Sequence, residues 1–265
     1  MDLLSFIYIN IKADYIMNEL NKITEIDFYG IRFLNGDYKE IKNEFKKGGL
    51  MVVPSAPGLK TIKKDKIYFN ALKKSKFAIL DSGYFCLLLR LIKKINVKKF
   101  SGLKFLRCFL FDKTINKNKL FLINPSKEDS YINKVYLKSI GINIKDNYYN
   151  APIYNINNIK DNNLIKILKE KKPNYIIINV GGGIQEPLGQ YIITKLNFKT
   201  SIFCTGAAIA FLTGKQANIP EFFDYIYLGW LLRSLNNPKN FIKRYLGSFS
   251  LIGLIVNSKP KIKWS

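Results

Sequence analysis

The residues of this chain that could carry chemistry follow short apolar runs. The triplet Gly181-Gly182-Gly183 comes directly after the run YIIINV, and Gln185 and Glu186 stand just beyond it. Asp81 follows a second run, FAIL. Glycines let a diphosphate approach backbone N–H groups, and a partly buried carboxylate can act as a general base. The spacing therefore predicts a phosphate-binding turn and a proton acceptor, each placed where a strand ends.

Neither feature is decisive alone. The triplet is not a full G-x-G-x-x-G, because Glu186 interrupts the pattern, and no G-K-[ST] follows it, so nicotinamide and ATP sites are disfavoured. The triplet could be only a tight turn. Asp81 could cap the next helix through Ser82 or Gly83. Gln185 and Glu186 could hold a sugar hydroxyl or simply complement the helix dipole.

Small residues follow the other apolar runs as well. They are Pro54-Ser55-Ala56, Asn124-Pro125-Ser126 and Thr205-Gly206-Ala207. In an open α/β sheet, ligands bind outside the carboxyl ends of the strands. Ser55, Thr205 and Gly206 are therefore candidate substrate contacts beside the glycine triplet.

Arginine is scarce, with five residues against a large excess of lysine, and two of the five lie close together near the C-terminus. These are Arg233 and Arg244, in a segment of helical pattern. A guanidinium fork matches the oxygens of a phosphate, so both are candidate substrate contacts. An exposed amphipathic helix is the alternative.

Composition removes several classes of function. The chain has 265 residues and 48% apolar residues, which is enough for a sizeable core and argues against disorder. It has no histidine, which excludes Ser-His-Asp and Cys-His catalysis and histidine metal sites. No D-x-D metal clamp is visible, so no metal or other cofactor is expected. The three scattered cysteines indicate reduced thiols, typical of a cytoplasmic protein.

The net charge of +24 predicts an anionic partner: nucleic acid, an anionic membrane surface or a phosphate-bearing substrate. No helix-turn-helix, zinc finger or RNP motif is present, and the lysines are spread along the chain, so nucleic acid is not the expected partner. A basic nucleic-acid-binding protein remains an alternative. Basic residues beside the apolar segment FIKRYLGSFSLIGLIV favour a helix at a membrane interface, and a buried core helix is the competing interpretation.

Alternating strand and helix patterns predict a Rossmann-like α/β fold, with a mostly parallel sheet flanked by helices and a C-terminal helical appendage. The expected strands are Leu50–Val53, Phe77–Leu80, Lys119–Ile123, Tyr175–Val180 and Ser201–Cys204. The expected helices are Lys66–Lys74, Tyr84–Ile95, Ser130–Ser139, Leu164–Lys172, Ile184–Leu196 and Phe222–Tyr245. We expect one α/β domain over residues 1–235 and a basic and apolar appendage over 236–265. No signal peptide and no apolar run of about 20 residues is apparent.

From Ile31 to Tyr245 the chain resembles the WecG/TagA/CpsF glycosyltransferases. The most specific block is CTGAAIAFLTGKQANIPEFFDYIYLGWLLRSLNNPKNFIKRY. It contains the family's glycine-rich turn at Gly206, its F-L-x-G step at 211–214, its W-L-x-R step ending at Arg233, and its R-Y pair at Arg244. The family's P-D-G turn resembles 80–83, its V-G-x-G and Q-E steps resemble 180–186, its strand-end T/P-N-A segment resembles 54–56, and its T-G step resembles 101–102.

The resemblance implies an inverting, metal-independent hexosyltransferase. Such an enzyme moves a hexose or N-acetylhexosamine from a UDP-sugar to a polyprenyl-diphosphate-linked sugar at the cytoplasmic membrane face, in bacterial surface polysaccharide synthesis. Asp81 would be the catalytic base. The enzyme would be peripheral to the membrane and could form homo-oligomers.

The chain also departs from the family pattern. The P-K step before Q-E is missing, Ala210 stands where an acidic residue is common, Ser55 replaces an asparagine, and Leu80 replaces a proline. These changes describe a divergent branch. A non-catalytic relative that binds a nucleotide-sugar is therefore a second alternative.

Overall fold

The computed structural model describes residues 23–215 and 250–264, which form a nine-stranded sheet flanked by helices. The strands are β1 Ile23–Phe28, β2 Ile31–Leu34, β3 Gly49–Val52, β4 Phe77–Ile79, β5 Leu120–Asn124, β6 Tyr148–Asn150, β7 Tyr175–Ile178, β8 Ser201–Cys204 and β9 Lys261–Trp264. The helices are α1 Tyr38–Phe45, α2 Ala56–Leu59, α3 Lys66–Lys74, α4 Gly83–Lys93, α5 Gly102–Phe111, α6 Lys127–Ser139, α7 Asn162–Lys171, α8 Gln185–Lys195, α9 Ala208–Leu212 and α10 Ser250–Val256.

The strand order is β6-β5-β7-β8-β3-β4-β2-β1-β9. Every pairing from β6 to β2 is parallel, and β1 pairs antiparallel with both β2 and β9. From β5 the chain continues to the edge strand β6, whereas from β7 it continues to β8, which is nearer the centre of the sheet. The winding therefore changes direction between β5 and β7, and open α/β sheets bind ligands at such a point.

The two faces of the sheet carry separate apolar cores. One face is covered by α2, α3, α4, α7, α8 and α10, and the other by α1, α5, α6 and α9. The second core is rich in rings, with Phe45, Phe105, Phe109 and Phe203 in mutual edge and stacked contacts. The central strands β3, β7 and β8 are buried on both faces, which explains their nearly continuous apolar sequences.

The mostly parallel Rossmann-like architecture predicted from the sequence is confirmed. The expected strand Ser201–Cys204 and helix Lys66–Lys74 have the expected bounds, and the other described elements differ by a few residues at their ends. Side-chain caps explain where several helices begin. Before α3, the Asp65 side chain accepts a hydrogen bond from the Tyr68 N–H, and before α6 the Ser126 side chain accepts one from the Asp129 N–H. The expected helix Phe222–Tyr245 lies outside the described residues.

Several elements have no counterpart among the sequence expectations. The strands β1 and β2 form a hairpin whose two-residue turn, Tyr29-Gly30, has positive φ at both positions (55° and 82°). That backbone matches the twist of a two-residue hairpin, but tyrosine at the first position is not a typical signal for it. The helix α5 and the strand β6 were not expected either.

The described part of the C-terminal segment belongs to the sheet domain. Leu251, Leu254 and Ile255 of α10 are buried in the first core, and the Lys93 ammonium binds the carbonyls of Val256 and Ser258 at 2.9 and 2.7 Å. The chain then adds β9 to the sheet beside β1. For residues 250–256 the core-helix interpretation is therefore the one observed. The domain boundary expected at residue 235 lies outside the described ranges.

Among the helices of residues 23–215 and 250–264, none has the length and apolar character needed to cross a membrane.

Candidate functional site at the carboxyl edge of the sheet

Asp81 follows β4 at the carboxyl edge of the sheet. Its Oδ1 accepts a hydrogen bond of 2.9 Å from the backbone N–H of Gly102, the first residue of α5. The following helix, α4, begins instead at Ser82, whose Oγ accepts from the Phe85 N–H at 3.2 Å. The alternative role of Asp81 as the cap of the next helix is therefore not observed, because Ser82 caps α4 and Asp81 binds the start of α5, 21 residues further along the chain. Its half-buried carboxylate is held at the edge by this contact.

Gly102 joins Asp81 to the ends of β3 and β8. A Cβ at this position would lie 3.0 Å from Val53 Cγ1 and 3.4 Å from the Thr205 carbonyl oxygen. The start of α5 therefore approaches the sheet more closely than a side chain would allow. This close approach explains the glycine without any need for unusual backbone angles.

Gln185 and Glu186 are both 2% exposed and both contact neighbouring loops. The Gln185 side chain accepts through Oε1 from the Gly206 N–H and donates through Nε2 to Glu186 Oε1, each at 3.0 Å. Glu186 Oε2 accepts from the Gly183 N–H at 2.8 Å. The pair thus ties the loop after β7 to the loop after β8. In this arrangement both side chains position the loops, and the predicted contact of Gln185 and Glu186 to a sugar hydroxyl stays a prediction.

Burial raises the pKa of Glu186 and of the neighbouring Cys204 thiol. Glu186 lies without a cation among the contacts described, and burial raises the pKa of its carboxyl group above the ordinary value. The Cys204 thiol donates to the Gln185 carbonyl at 3.2 Å, and burial together with the Glu186 charge raises the pKa of this thiol. Cys204 is therefore a buried, protonated thiol and not a nucleophile.

The glycine triplet leaves open space above the backbone. Gly181 and Gly182 are exposed, and a Cβ on either would meet no heavy atom within 4 Å in the described ranges. Gly183 has φ of +90°, which explains that glycine by itself, and its N–H is used by Glu186. Packing of the described residues does not require glycine at positions 181 and 182. An open backbone surface of this kind suits a ligand that lies against the chain.

Ser55 and Thr205-Gly206 are also found at this edge. Ser55 starts α2, and its Oγ accepts from the Gly58 N–H at a long 3.4 Å. Gly206 has φ of +63° and uses its N–H on Gln185. Thr205 is 5% exposed, and its Oγ1 has no hydrogen-bond partner among the described residues. Contacts thus run from Asp81 through Gly102 and the Thr205–Gly206 turn to Gln185, Glu186 and Gly183.

A row of polar residues crosses the same edge, and of its members only Thr205 was predicted as a site residue from the sequence. Register pairs Ile178 with Cys204, Ile123 with Ile178, and Asn124 with Asn150. One step further along the strands, Thr205, Asn179, Asn124 and Asn150 therefore lie side by side. The alternation of a strand places Asn179 and Thr205 on the second face, since Ile177 and Phe203 belong to that core.

Hydrogen bonds connect the outer members of the row. Asn124 is fully buried; its Oδ1 accepts from Asn179 Nδ2 at 2.7 Å and from Asn133 Nδ2 at 2.9 Å. Its Nδ2 donates to Ser130 Oγ at 3.0 Å, and Ser130 in turn donates to Asn150. The signal in the sequence is a polar residue at the end of a strand or directly after it, but only the register shows that these residues are neighbours.

Arg233 and Arg244 fall outside the described residues. Lys215, at the end of the described segment, pairs with Asp129 of α6 at 2.8 Å. Within residues 23–215 and 250–264, no three His, Cys, Asp or Glu side chains gather as a metal site would need.

Comparison with known proteins agrees with the architecture. A family described as "Glycosyl transferase WecG/TagA/CpsF family" matches residues 26–264, which is nearly the whole chain. Curated protein sequences give no match. The matched range includes Asp81, the Gly181–Gly183 loop and both arginines. The chain therefore belongs to the WecG/TagA/CpsF glycosyltransferase family, whose members act in bacterial surface polysaccharide synthesis.

Proposed function

We propose that this glycosyltransferase moves a hexose or N-acetylhexosamine from a UDP-sugar to a polyprenyl-diphosphate-linked sugar, with inversion and without a metal ion. The observation that carries the proposal is the line of hydrogen bonds from Asp81 to Gly102 and from Gly206 to Gly183 along the carboxyl edge, where Gly102 lies close to the Thr205 carbonyl. It joins a carboxylate on one half of the sheet to an open glycine loop on the other. A two-substrate transfer needs both, since one substrate must lose a proton and the other a diphosphate.

Asp81 is the proposed general base. Gly102 fixes its carboxylate at the edge, so the proton acceptor is held in one place before the acceptor substrate arrives. Asp81 takes the proton of the acceptor hydroxyl as that oxygen attacks the anomeric carbon. The bond from the anomeric carbon to the UDP oxygen breaks on the opposite side, which gives inversion. The proton then rests on Asp81, and the negative charge leaves with UDP.

The leaving diphosphate requires stabilisation. Gly181 and Gly182 offer an exposed backbone surface at the start of α8, where the helix dipole favours an anion. Arg233 and Arg244 are proposed as contacts to the donor diphosphate or to the lipid diphosphate of the acceptor. Gln185 and Glu186 hold the two glycine loops together.

The proposed location is the inner face of the cell membrane, as a peripheral protein. The net charge of +24 supports attraction to anionic lipid, which is where a polyprenyl-linked acceptor lies. Association into homo-oligomers is proposed on the family resemblance alone.

The test is binding followed by transfer. UDP should raise the thermal unfolding midpoint of the full chain, because a ligand that binds only the folded state stabilises it. ADP, NAD and a short oligonucleotide serve as comparison ligands. UDP-sugars should then support transfer to a lipid-diphosphate acceptor in the presence of a metal chelator. UDP binding without transfer from any UDP-sugar would identify a non-catalytic relative. A response to the oligonucleotide and none to UDP would identify a nucleic-acid-binding protein.

A further inference from the structure

The chain between α4 and α5 crosses the carboxyl edge of the sheet and leads to the donor that binds Asp81. It has neither helical nor strand structure over residues 94–101. Three of the N–H groups between positions 98 and 102, at alternate residues, bond to groups that follow neighbouring strands. The Lys98 N–H donates to Asn35 Oδ1 at 2.8 Å, the Phe100 N–H to the Leu80 carbonyl at 2.9 Å, and the Gly102 N–H to Asp81 Oδ1 at 2.9 Å.

Asn35 holds the first of these three donors. It follows β2, and the register pairs Leu34 with Ile79 of β4, so Asn35 lies beside Leu80 at the carboxyl edge. Its backbone N–H is bonded to the Thr24 carbonyl at 2.8 Å, and the residue is 8% exposed. The sheet and the surrounding core therefore fix the position of the side-chain oxygen that the Lys98 N–H binds.

The segment 98–102 has little slack. In sheet order its bonds run from β2 to β4, and Gly102 then lies against Val53 and the Thr205 carbonyl, which follow β3 and β8. This path covers about two and a half strand spacings, which amounts to about 12 Å. Four residues of chain reach at most about 14 Å. A shift at the β2 end is therefore passed on toward Gly102, with only the Phe100 bond between.

We propose that Asn35 is a positioning residue for the transfer reaction: by holding the Lys98 N–H, it sets the place of Gly102 and hence of the Asp81 carboxylate. Asn35 acts through the chain and not on the substrates. The effect on rate can be large, since a misplacement of about 1 Å at a reacting group can cost about 10²-fold. This inference rests on the proposed role of Asp81 as the base, and Asn35 was not among the site residues predicted from the sequence.

The experiment compares Asn35→Ala in the wild-type and Asp81→Asn backgrounds by transfer kinetics on the full chain. The change removes the oxygen that accepts from Lys98. In the wild-type background kcat should fall by about tenfold, because the carboxylate is displaced. In the Asp81→Asn background no carboxylate remains to be positioned, so the same change should alter kcat by less than about twofold. A purely structural role of Asn35 would lower kcat by the same factor in both backgrounds.

Two further readouts separate positioning from general damage to the fold. UDP affinity, measured by calorimetry, should stay within about twofold of wild type, because the open glycine loop lies on the other half of the sheet. Asn35→Asp keeps an oxygen that can accept from the Lys98 N–H, so it should recover most of the kcat lost in Asn35→Ala. Asn35→Ser shortens the side chain but keeps it polar, and it enters the same comparison as a milder second variant.

Ser201→Ala is the matched control. Ser201 is 3% exposed, and its Oγ donates to the Phe45 carbonyl at 2.6 Å, so this bond, like that of Asn35, joins a buried side chain to the backbone of a distant segment. Ser201 lies at the start of β8, at the opposite edge of the sheet. Its replacement should lower the thermal midpoint about as much as Asn35→Ala does and leave kcat at the wild-type value.

The outcomes are distinguishable. Wild-type kcat in Asn35→Ala, an equal loss in both backgrounds, a loss of UDP affinity as large as the loss of kcat, or no recovery in Asn35→Asp would overturn the positioning role and leave the proposed transfer standing. Wild-type kcat in Asp81→Asn would remove the base from the proposed mechanism, and this inference with it. Failure of wild type to bind UDP or any UDP-sugar would overturn the proposed function as a whole.

Discussion

The Oδ1 atom of Asp81 lies 2.9 Å from the backbone nitrogen of Gly102, so the proposed base is bound to the first turn of a helix that follows it by 21 residues. Ser101 caps the same helix, with its Oγ 3.1 Å from the Lys104 N–H. Two backbone donors of one helix start are thereby satisfied by neighbouring side chains. The consequence is that the position of the base depends on the packing of α5, and this dependence can be tested.

Asp81→Asn should abolish most turnover while the fold and UDP binding remain. The amide keeps an oxygen that can accept from the Gly102 N–H, but it cannot take a proton from the acceptor. We expect turnover to fall by about 10²-fold or more. Transfer kinetics and UDP calorimetry on the same preparation provide the measurement. Turnover equal to that of wild type would exclude Asp81 as the base.

Gly102→Ala should displace the Asp81 carboxylate although the new methyl group does not contact Asp81. The new Cβ would lie 3.0 Å from Val53 Cγ1, so α5 must shift away from the strand ends and carry the Asp81 anchor with it. We expect turnover to fall and the free energy of unfolding to fall by about 1 kcal/mol. Gly253→Ala in α10 is the control, because no described heavy atom lies within 4 Å of its Cβ. It should raise stability by roughly 0.5 kcal/mol and leave turnover as it was. Identical behaviour of the two variants would contradict the anchoring role.

Gly182→Ala separates a ligand-binding loop from a merely tight turn. Position 182 has no positive φ, and its Cβ would meet open space in the described ranges. Denaturant unfolding should therefore match wild type to within about 0.5 kcal/mol. If the donor diphosphate lies against this backbone, the donor KM should rise several-fold. Gly183→Ala, by contrast, should destabilise the protein because φ is +90°. An unchanged donor KM in Gly182→Ala would remove position 182 from the donor site.

Asp112→Asn should reduce stability at neutral pH and remove part of its acid sensitivity. The Asp112 carboxylate pairs with Lys42 at 2.7 Å and accepts from the Tyr38 hydroxyl at 3.0 Å and from Thr114. These contacts lower the pKa of Asp112 in the folded protein, against the opposing effect of burial. A lowered folded pKa stabilises the protein above the unfolded value of about 4, and the contribution is lost as pH falls below it.

The measurement for Asp112→Asn is urea unfolding as a function of pH. The difference in unfolding free energy from wild type should be about 2 kcal/mol at pH 7 and should shrink steadily below about pH 4. Asp146→Asn, at an exposed carboxylate, is the control and should follow the wild-type curve. A difference that stays constant from pH 7 to pH 3 would show that the charge of Asp112 is not responsible.

The fold was largely predictable because buried parallel strands leave a strong signal. Runs such as YIIINV and SIFC are apolar on both faces, and helices with Asp or Ser caps lie between them. The elements that were missed lack such signals. The strand β6 has only three residues, Tyr148–Asn150, and β9 reads KIKW, an alternation with lysine that is typical of an edge strand.

The site was predictable in position but not in its internal contacts. Strand ends identified Asp81, Gly181 and Thr205, because small or polar residues after apolar runs are visible in one dimension. The roles of Gln185 and Glu186 as ties between loops depend on burial, which periodicity does not reveal at a helix start. The Asn179–Thr205 pair depends on strand register, and register is set by pairings between segments distant in sequence.

The antiparallel pairing of β9 with β1 has a consequence for biosynthesis. The two strands are about 240 residues apart, as the Thr24 hydroxyl bound to the Lys263 carbonyl illustrates. While the ribosome is still making the middle of the chain, the outer edge of β1 has no partner, and its backbone donors and acceptors are open to other strands. Completion of the sheet must await the synthesis of β9, so this edge is closed later than the central parallel strands can assemble.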